Sequence, residues 1–317
     1  GIMIAVLLPA ILTSPFPLGV SFLRLQSALD RGAERARLAV HFGTLIAAVG
    51  SYLQAKKNHG DWLVRMEDVD ITRKVDGSDL EILHTLEAFG FEWQGEVMYQ
   101  SEQTEDYQQA LEQLIEKSLV FPCTCSRKQL AASGSEIYPG TCRNHKMSET
   151  GEHALRLLAK DITIEFDDLI MGQQSQNIAQ QCGDFVIKRR DGLFAYQLAV
   201  VVDDALQGVT EIVRGADLLD STPRQIFLQQ CLDYTRPGYL HLPLILDHEG
   251  RKLSKSEGAA ELNPDRPVKS IHAALRHLGQ QPPADLVKAG TVDVWQWAME
   301  NWSISKIPAP HNVMKTS

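Results

Sequence analysis

The chain has 317 residues, 44% of them hydrophobic and 22% charged, the composition of a folded protein with room for two or three domains and a sizeable core. Its formal net charge of -9 excludes a molecule coated in basic surface, so contact with nucleic acid has to come from local patches such as Lys188-Arg189-Arg190 and the stretch Arg251 to Lys255. Five cysteines, three of them crowded between Cys123 and Cys142, do not form the even framework of a small secreted domain, and a reducing, cytoplasmic setting is expected.

Ile2 to Leu23 carries no charge, but Pro9, Pro15 and Pro17 interrupt it and no Lys or Arg precedes it, which argues against a membrane span or signal peptide. No strand or helix period is visible there. His41-Phe42-Gly43 then opens a helix with Leu45, Ile46, Val49 and Leu53 on its buried face and a stop at Asn58-His59-Gly60. A His and a Gly at a helix start let the imidazole and free N–H groups approach a polyphosphate. Trp62 to Met66 is apolar enough for a buried strand and delivers Glu67, Asp68 and Asp70 to its C-terminal end, where parallel sheets bind ligands.

Leu80 to Phe89 reads as a helix closed by Gly90, and Tyr107, Leu111, Leu114 and Ile115 mark another. Ser101 to Cys182 looks like an insertion with its own cysteine cluster and a strand at Ile162 to Phe166. Cys123-x-Cys125 and Tyr138-x-x-x-Cys142 offer three thiolates and a phenol, a donor set that favours zinc, with His145 as a possible substitute ligand. Cys182 and Cys231 read as ordinary buried cysteines.

The sheet pattern resumes at Phe185 to Arg189, followed by a helix at Tyr196 to Ala205 and a strand at Val209 to Val213 leading into Arg214. Thr222-Pro223-Arg224-Gln225 reads as a capping box at a helix start. A last strand, His241 to Leu246, precedes Lys252-Leu253-Ser254-Lys255-Ser256, whose two lysines can close over the same phosphates as His41. From Leu262 onward the chain is helical, with Val268, Ile271, Leu275 and Leu278 on one face, then Trp295, Met299 and Trp302. The expected organisation is an atypical segment 1–40, a catalytic half 41–100, an insertion 101–182, a second catalytic half 183–256 and a helical region 257–317.

These strands and helices, the His-x-Gly and the Lys-Leu-Ser-Lys-Ser loop resemble the class I aminoacyl-tRNA synthetases, with their HIGH-like and KMSKS-like motifs. Arg65-Met66-Glu67-Asp68-Val69-Asp70, Phe194 to Ala199 and Val213 to Leu219 are similar to the glutamyl branch, and the length is nearest to its short paralogues that act on queuosine in tRNA(Asp). The resemblance implies an α/β fold: a Rossmann-like parallel-sheet catalytic domain, a zinc-bearing insertion and a small helical C-terminal region. It implies ATP with Mg, L-glutamate and queuosine-bearing tRNA(Asp) as partners, a monomer, and no membrane. It places His41, Lys252 and Lys255 in catalysis, with Gly43 and Ser254 beside them at ATP; Glu67, Tyr196 and Arg214 on glutamate; and one structural zinc on Cys123, Cys125, Tyr138 and Cys142.

Relatives in this resemblance carry Arg-Phe-Ala-Pro-Ser-Pro-Ser/Thr-Gly just before the His-x-Gly, whereas this chain reads Arg31 to Ala39 as RGAERARLA. Codons for Arg35 to Ala39 read one frame over can spell the missing Ser, Pro, Ser or Thr, and Gly, so a shifted frame is expected there. Two other readings stay open at this point: a truncated or discriminating glutamyl-tRNA synthetase, and a catalytically impaired, zinc-stabilised RNA-binding relative.

Overall fold

The computed structural model describes residues 42–69, 77–132, 134–135, 137–145, 152–244, 262 and 264–309, together with the backbone of 3–9. The first strand, β1 (Met3–Pro9), pairs in parallel with β2 (Asp61–Glu67), Met3 opposite Asp61 and Pro9 opposite Glu67. The sequence reading found no strand here. A continuous apolar run has no alternation to detect, and that is how strands of parallel sheets read.

Between them runs α1 (Phe42–Lys57), which lies against β1 and β2. It ends as its stop signal predicts, with His59 at φ 54. Next come α2 (Ser78–Ala88) and the short strand β3 (Met98–Tyr99), the outer neighbour of β2. The helix α3 (Thr104–Glu116) buries Tyr107, Leu111 and Leu114 as their spacing requires.

Two small sheets follow, and their membership differs from the sequence reading. The strands β4 (Val120–Cys123), β5 (Ala154–Leu157) and β8 (Phe185–Lys188) form one antiparallel sheet, with the short helix α4 (Arg127–Ala132) in the excursion between β4 and β5. By contrast β6 (Thr163–Asp168), hairpinned to β7 (Gly172–Asn177), pairs in parallel with β10 (Gly238–Leu242), which pairs in parallel with β9 (Glu211–Gly215). Thus the strand expected inside the insertion joins the catalytic sheet, and the one expected to resume that sheet pairs with the insertion. Strand partners are long-range choices that local pattern does not encode.

The parallel group β1-β2-β3 and the mixed group β7-β6-β10-β9 meet where β1 runs alongside β9. From this seam the strand order runs outward in both directions, the switch point at which open α/β sheets bind ligands beyond the carboxyl ends of their strands. Glu67 and Arg214 stand at or next to two of those ends. Flanking β9 are α5 (Tyr196–Leu206) and α6 (Thr222–Cys231).

One apolar cluster gathers α1, β2, α2 and the C-terminal helices α7 (Pro267–His277) and α8 (Thr291–Asn301); a second gathers α3, β5, β6, β8, α5 and α6. In α8 the buried face is Val294, Trp295 and Ala298, while Met299, expected on that face, is 39% exposed. Among the described residues no helix is long and apolar enough to cross a membrane.

Candidate active site

Glu67 ends β2, Tyr196 opens α5, and Arg214 sits in β9 just before its end. The fold brings these three close enough for their charges to act on one another. Each carries a buried polar atom with no hydrogen-bond partner among the described residues: Glu67 Oε1, Tyr196 OH and Arg214 Nη1. Orphaned buried polar atoms are costly, so an acceptor, a hydroxyl and a cationic donor left open together mark a place for a ligand with matching groups. Burial pushes the Glu67 carboxyl up to about 7, with Asp203 and Asp204 adding repulsion against the pull of Arg65 and Arg214. Burial, then the negative charge of Glu67, raises the Tyr196 phenol as well.

The other side of Arg214 is fully engaged. Its Nε donates to His241 Nε2 at 3.1 Å, and Nη2 donates to Thr222 Oγ1 at 2.8 Å and to the Leu218 carbonyl at 3.4 Å. His241 Nδ1 meets Asp168 Oδ2 at 2.6 Å. Thr222 therefore does not cap its helix: it is the first residue of α6 and its hydroxyl accepts from Arg214 and lies 3.1 Å from His241 Nε2, while Ser221 at the cap position makes no cap bond and accepts instead from Gln197 Nε2 at 3.1 Å.

A second polar cluster lies behind Glu67. Arg65, fully buried, donates to Asp204 Oδ1 at 2.7 Å and to Gln207 Oε1 at 2.7 Å, with Asp203 Oδ2 at 3.7 Å from its Nε. Asp203 in turn accepts from Gln100 Nε2 and Tyr107 OH, and burial pushes it up to about 6 despite Arg65. Asp68, which the sequence set beside Glu67, is buried and accepts from Ser101 N and Ser101 Oγ, fixing the turn after β3. Gly43 is the second residue of α1. His41, Asp70, Lys252, Ser254 and Lys255 lie outside the described residues.

In the β4–β5 excursion, the Sγ atoms of Cys123, Cys125 and Cys142 lie within 4.8 Å of one another, Cys125 and Cys142 at 3.5 Å. Tyr138 OH lies 3.4 Å from Cys123 Sγ and 3.8 Å from Cys125 Sγ. Zn–S bonds of about 2.3 Å at tetrahedral angles place ligand atoms about 3.8 Å apart, and the separations of 3.4, 3.5 and 3.8 Å within this donor set are of that size. Burial opposes a charge on Cys142, yet hydrogen bonds from Tyr138 and the Thr124 backbone bring its thiol down to about 6, toward the thiolate a metal needs. His145 is exposed and outside the converging group. Cys182 is partly buried beside Gln176 and Cys231 is buried, both away from the cluster.

Residues 38–266 match the family model for the catalytic domain of class I tRNA synthetases (E and Q). The chain is 49% identical over 276 residues to the glutamyl-Q tRNA(Asp) synthetase of Dechloromonas aromatica, covering 85% of this chain and 92% of the relative. It belongs to this synthetase family. The protein of the same name from Pseudomonas aeruginosa PAO1 is 49% identical over 269 residues, covering 85% of this chain and 91% of that one. The fold is also that of the glutamate-tRNA synthetase of Elizabethkingia anophelis, at TM-score 0.75 and 21% identity, over 98% of this chain and 67% of that one.

The sequence pattern did not place Asp168, Thr222 and His241 beside Arg214. One signal was available. Thr163–Asp168 alternates with Ile164 and Phe166 inward, which puts the charged Asp168 on the buried face.

Proposed function

We propose that this ligase activates L-glutamate with ATP and transfers it to queuosine in tRNA(Asp). The observation that carries the reading is the trio of unpartnered buried atoms on Glu67, Tyr196 and Arg214. Glutamate is a zwitterion with a further carboxylate, and the trio offers an anion for its ammonium, a cation for a carboxylate and a hydroxyl that can bond to either. The names of the relatives at 49% identity supply the acceptor.

The chemistry asks little of a base. The carboxylate of glutamate is already ionised at neutral pH, so its attack on the α-phosphorus of ATP needs alignment and stabilisation of charge as pyrophosphate leaves. We assign His41 and Gly43 to the phosphates, and Lys252, Ser254 and Lys255 to the leaving group, with Mg arriving on the ATP. Zinc on Cys123, Cys125, Tyr138 and Cys142 supplies a structural crosslink. The protein acts as a monomer in this reading.

The family model begins matching at residue 38, after the RGAERAR stretch. We read Arg35 to Ala39 as the family motif in a shifted frame from the codons these residues allow, which resequencing the gene tests. The function itself is tested by glutamate-dependent ATP–pyrophosphate exchange, then by transfer of labelled glutamate to queuosine-containing tRNA(Asp) and to its unmodified transcript. Transfer to the modified tRNA alone is expected. Charging of tRNA(Glu) instead would establish the discriminating synthetase, and absence of exchange in a frame-verified chain the impaired relative.

A further inference from the structure

His241 is wholly buried between β6 and β9, and its two ring nitrogens face groups of opposite demand. Arg214 Nε can only donate, so the Nε2 it meets at 3.1 Å must be a bare lone pair. The ring proton therefore resides on Nδ1 and is donated to Asp168 Oδ2 at 2.6 Å. Asp168 is held in turn by the backbone N–H groups of Ile170, Met171 and His241 at its Oδ1. The Tyr239 ring stacks on the imidazole with centroids 6.3 Å apart and an interplanar angle of 11°. Everything about the ring, its plane, tautomer and depth, is fixed from three strands.

We infer that Asp168 and His241 are positioning residues for glutamate: the carboxylate sets the imidazole tautomer, the imidazole holds Arg214 by Nε, and Nη1 is left turned to the substrate carboxylate. The inference rests on Arg214 being the carboxylate-binding residue. Its chemical logic is that a guanidinium reads a carboxylate by direction as much as by charge, and a group anchored along one edge loses little freedom when the other edge binds. Thr222 Oγ1, accepting from Nη2, completes the anchored edge.

The prediction concerns tautomer as well as presence. Asp168→Asn keeps an oxygen for the three backbone N–H groups but turns an amide N–H toward Nδ1. The proton must then move to Nε2, where it opposes the Arg214 N–H and turns instead to Thr222 Oγ1, 3.1 Å away. In glutamate-dependent pyrophosphate exchange, His241→Phe and Asp168→Asn are expected to raise the KM for glutamate by about tenfold or more, with the KM for ATP within about twofold. His241→Gln, whose amide oxygen can reach the Nε2 position, is expected to recover most of the loss. A glutamate KM unchanged in His241→Phe, or the two KM values rising together, overturns the inference, as does a His241→Gln no better than Phe. Nitrogen-15 shifts of the unsubstituted protein give a test that needs no variant to fold: a proton on Nδ1 and bare Nε2 are expected, and the reverse tautomer refutes it. Arg214→Leu separates this from the parent reading. If that variant keeps its glutamate KM, the assignment of Arg214 itself has failed; if it loses glutamate while His241→Phe does not, only the positioning role has.

Discussion

Glu67 carries a buried, unpartnered oxygen and a carboxyl pushed up to about 7 by burial, so in the ligand-free chain the site is built against its own stability. Its folded pKa lies above the ordinary 4.5, so the folded chain holds a proton the unfolded chain has released. That contribution to stability is complete below about 4.5 and is lost as the pH rises through about 7. Glu67→Gln keeps the shape and removes the loss. At pH 8 it is expected to stabilise the ligand-free protein by on the order of 1–3 kcal/mol in urea melts and to raise the glutamate KM by about tenfold or more. A Gln variant less stable than the parent at pH 8 would show that Glu67 is satisfied in the free protein.

Two elements carry predictions of their own. Just past the end of α7 and its cap Leu278 stands Gly279, with φ 72, where a Cβ would lie 2.0 Å from the Lys306 carbonyl oxygen. This close approach lets the chain after α8 fold back over the end of α7. At Gly192, φ is 87 but nothing lies within 4 Å of a Cβ. Gly192→Ala is therefore expected to cost about 1–2 kcal/mol from backbone strain alone, and Gly279→Ala about 1–3 kcal/mol beyond that from the clash. Equal losses in denaturant melts would show that strain alone decides both. Among the described residues the β4–β5 excursion is held by a small apolar cluster of Phe121, Cys123, Tyr138 and Cys142, by the Arg143–Asp184 ion pair and by Arg156 over the Tyr138 ring, a small core for a segment to fold on unaided. One zinc per chain is expected by elemental analysis. Cys142→Ala should abolish it and open this segment to protease, and a metal-free protein with the segment equally resistant would exclude the metal.

Across the whole molecule, the two apolar clusters meet at a polar seam. Arg65 reaches from β2 in the first to Asp203 and Asp204 on α5 in the second, and Tyr107 and Gln100 close the seam on Asp203. Burial works against the Arg65 charge, but Asp204 and then Asp203 outweigh it and keep the guanidinium firmly protonated. Removing one partner of such a group strands the others, so Arg65→Ala is expected to destabilise by about 3–5 kcal/mol, read from urea unfolding. A loss under about 1 kcal/mol would mean water relieves the two aspartates.

The sequence by itself determined the strand β2 and the helices with a buried apolar face, because apolar residues at helical spacing and a bounded apolar run are local signals of burial, while the short α4, which buries no residue, gave no such signal. It also named the residues of the trio, through the resemblance of its motifs to the class I synthetases, and the thiol cluster, through the spacing of its donors. Only the tertiary structure decided that β6 pairs with β10 while β8 pairs with β5, since any suitably apolar strand can serve either partner. It alone turned Thr222 from a helix cap into a partner of Arg214, and brought Asp168, His241 and Arg214 into one line from three strands. Hydrogen bonds between residues so far apart in the chain follow from strand order and register, and no local window of sequence contains them.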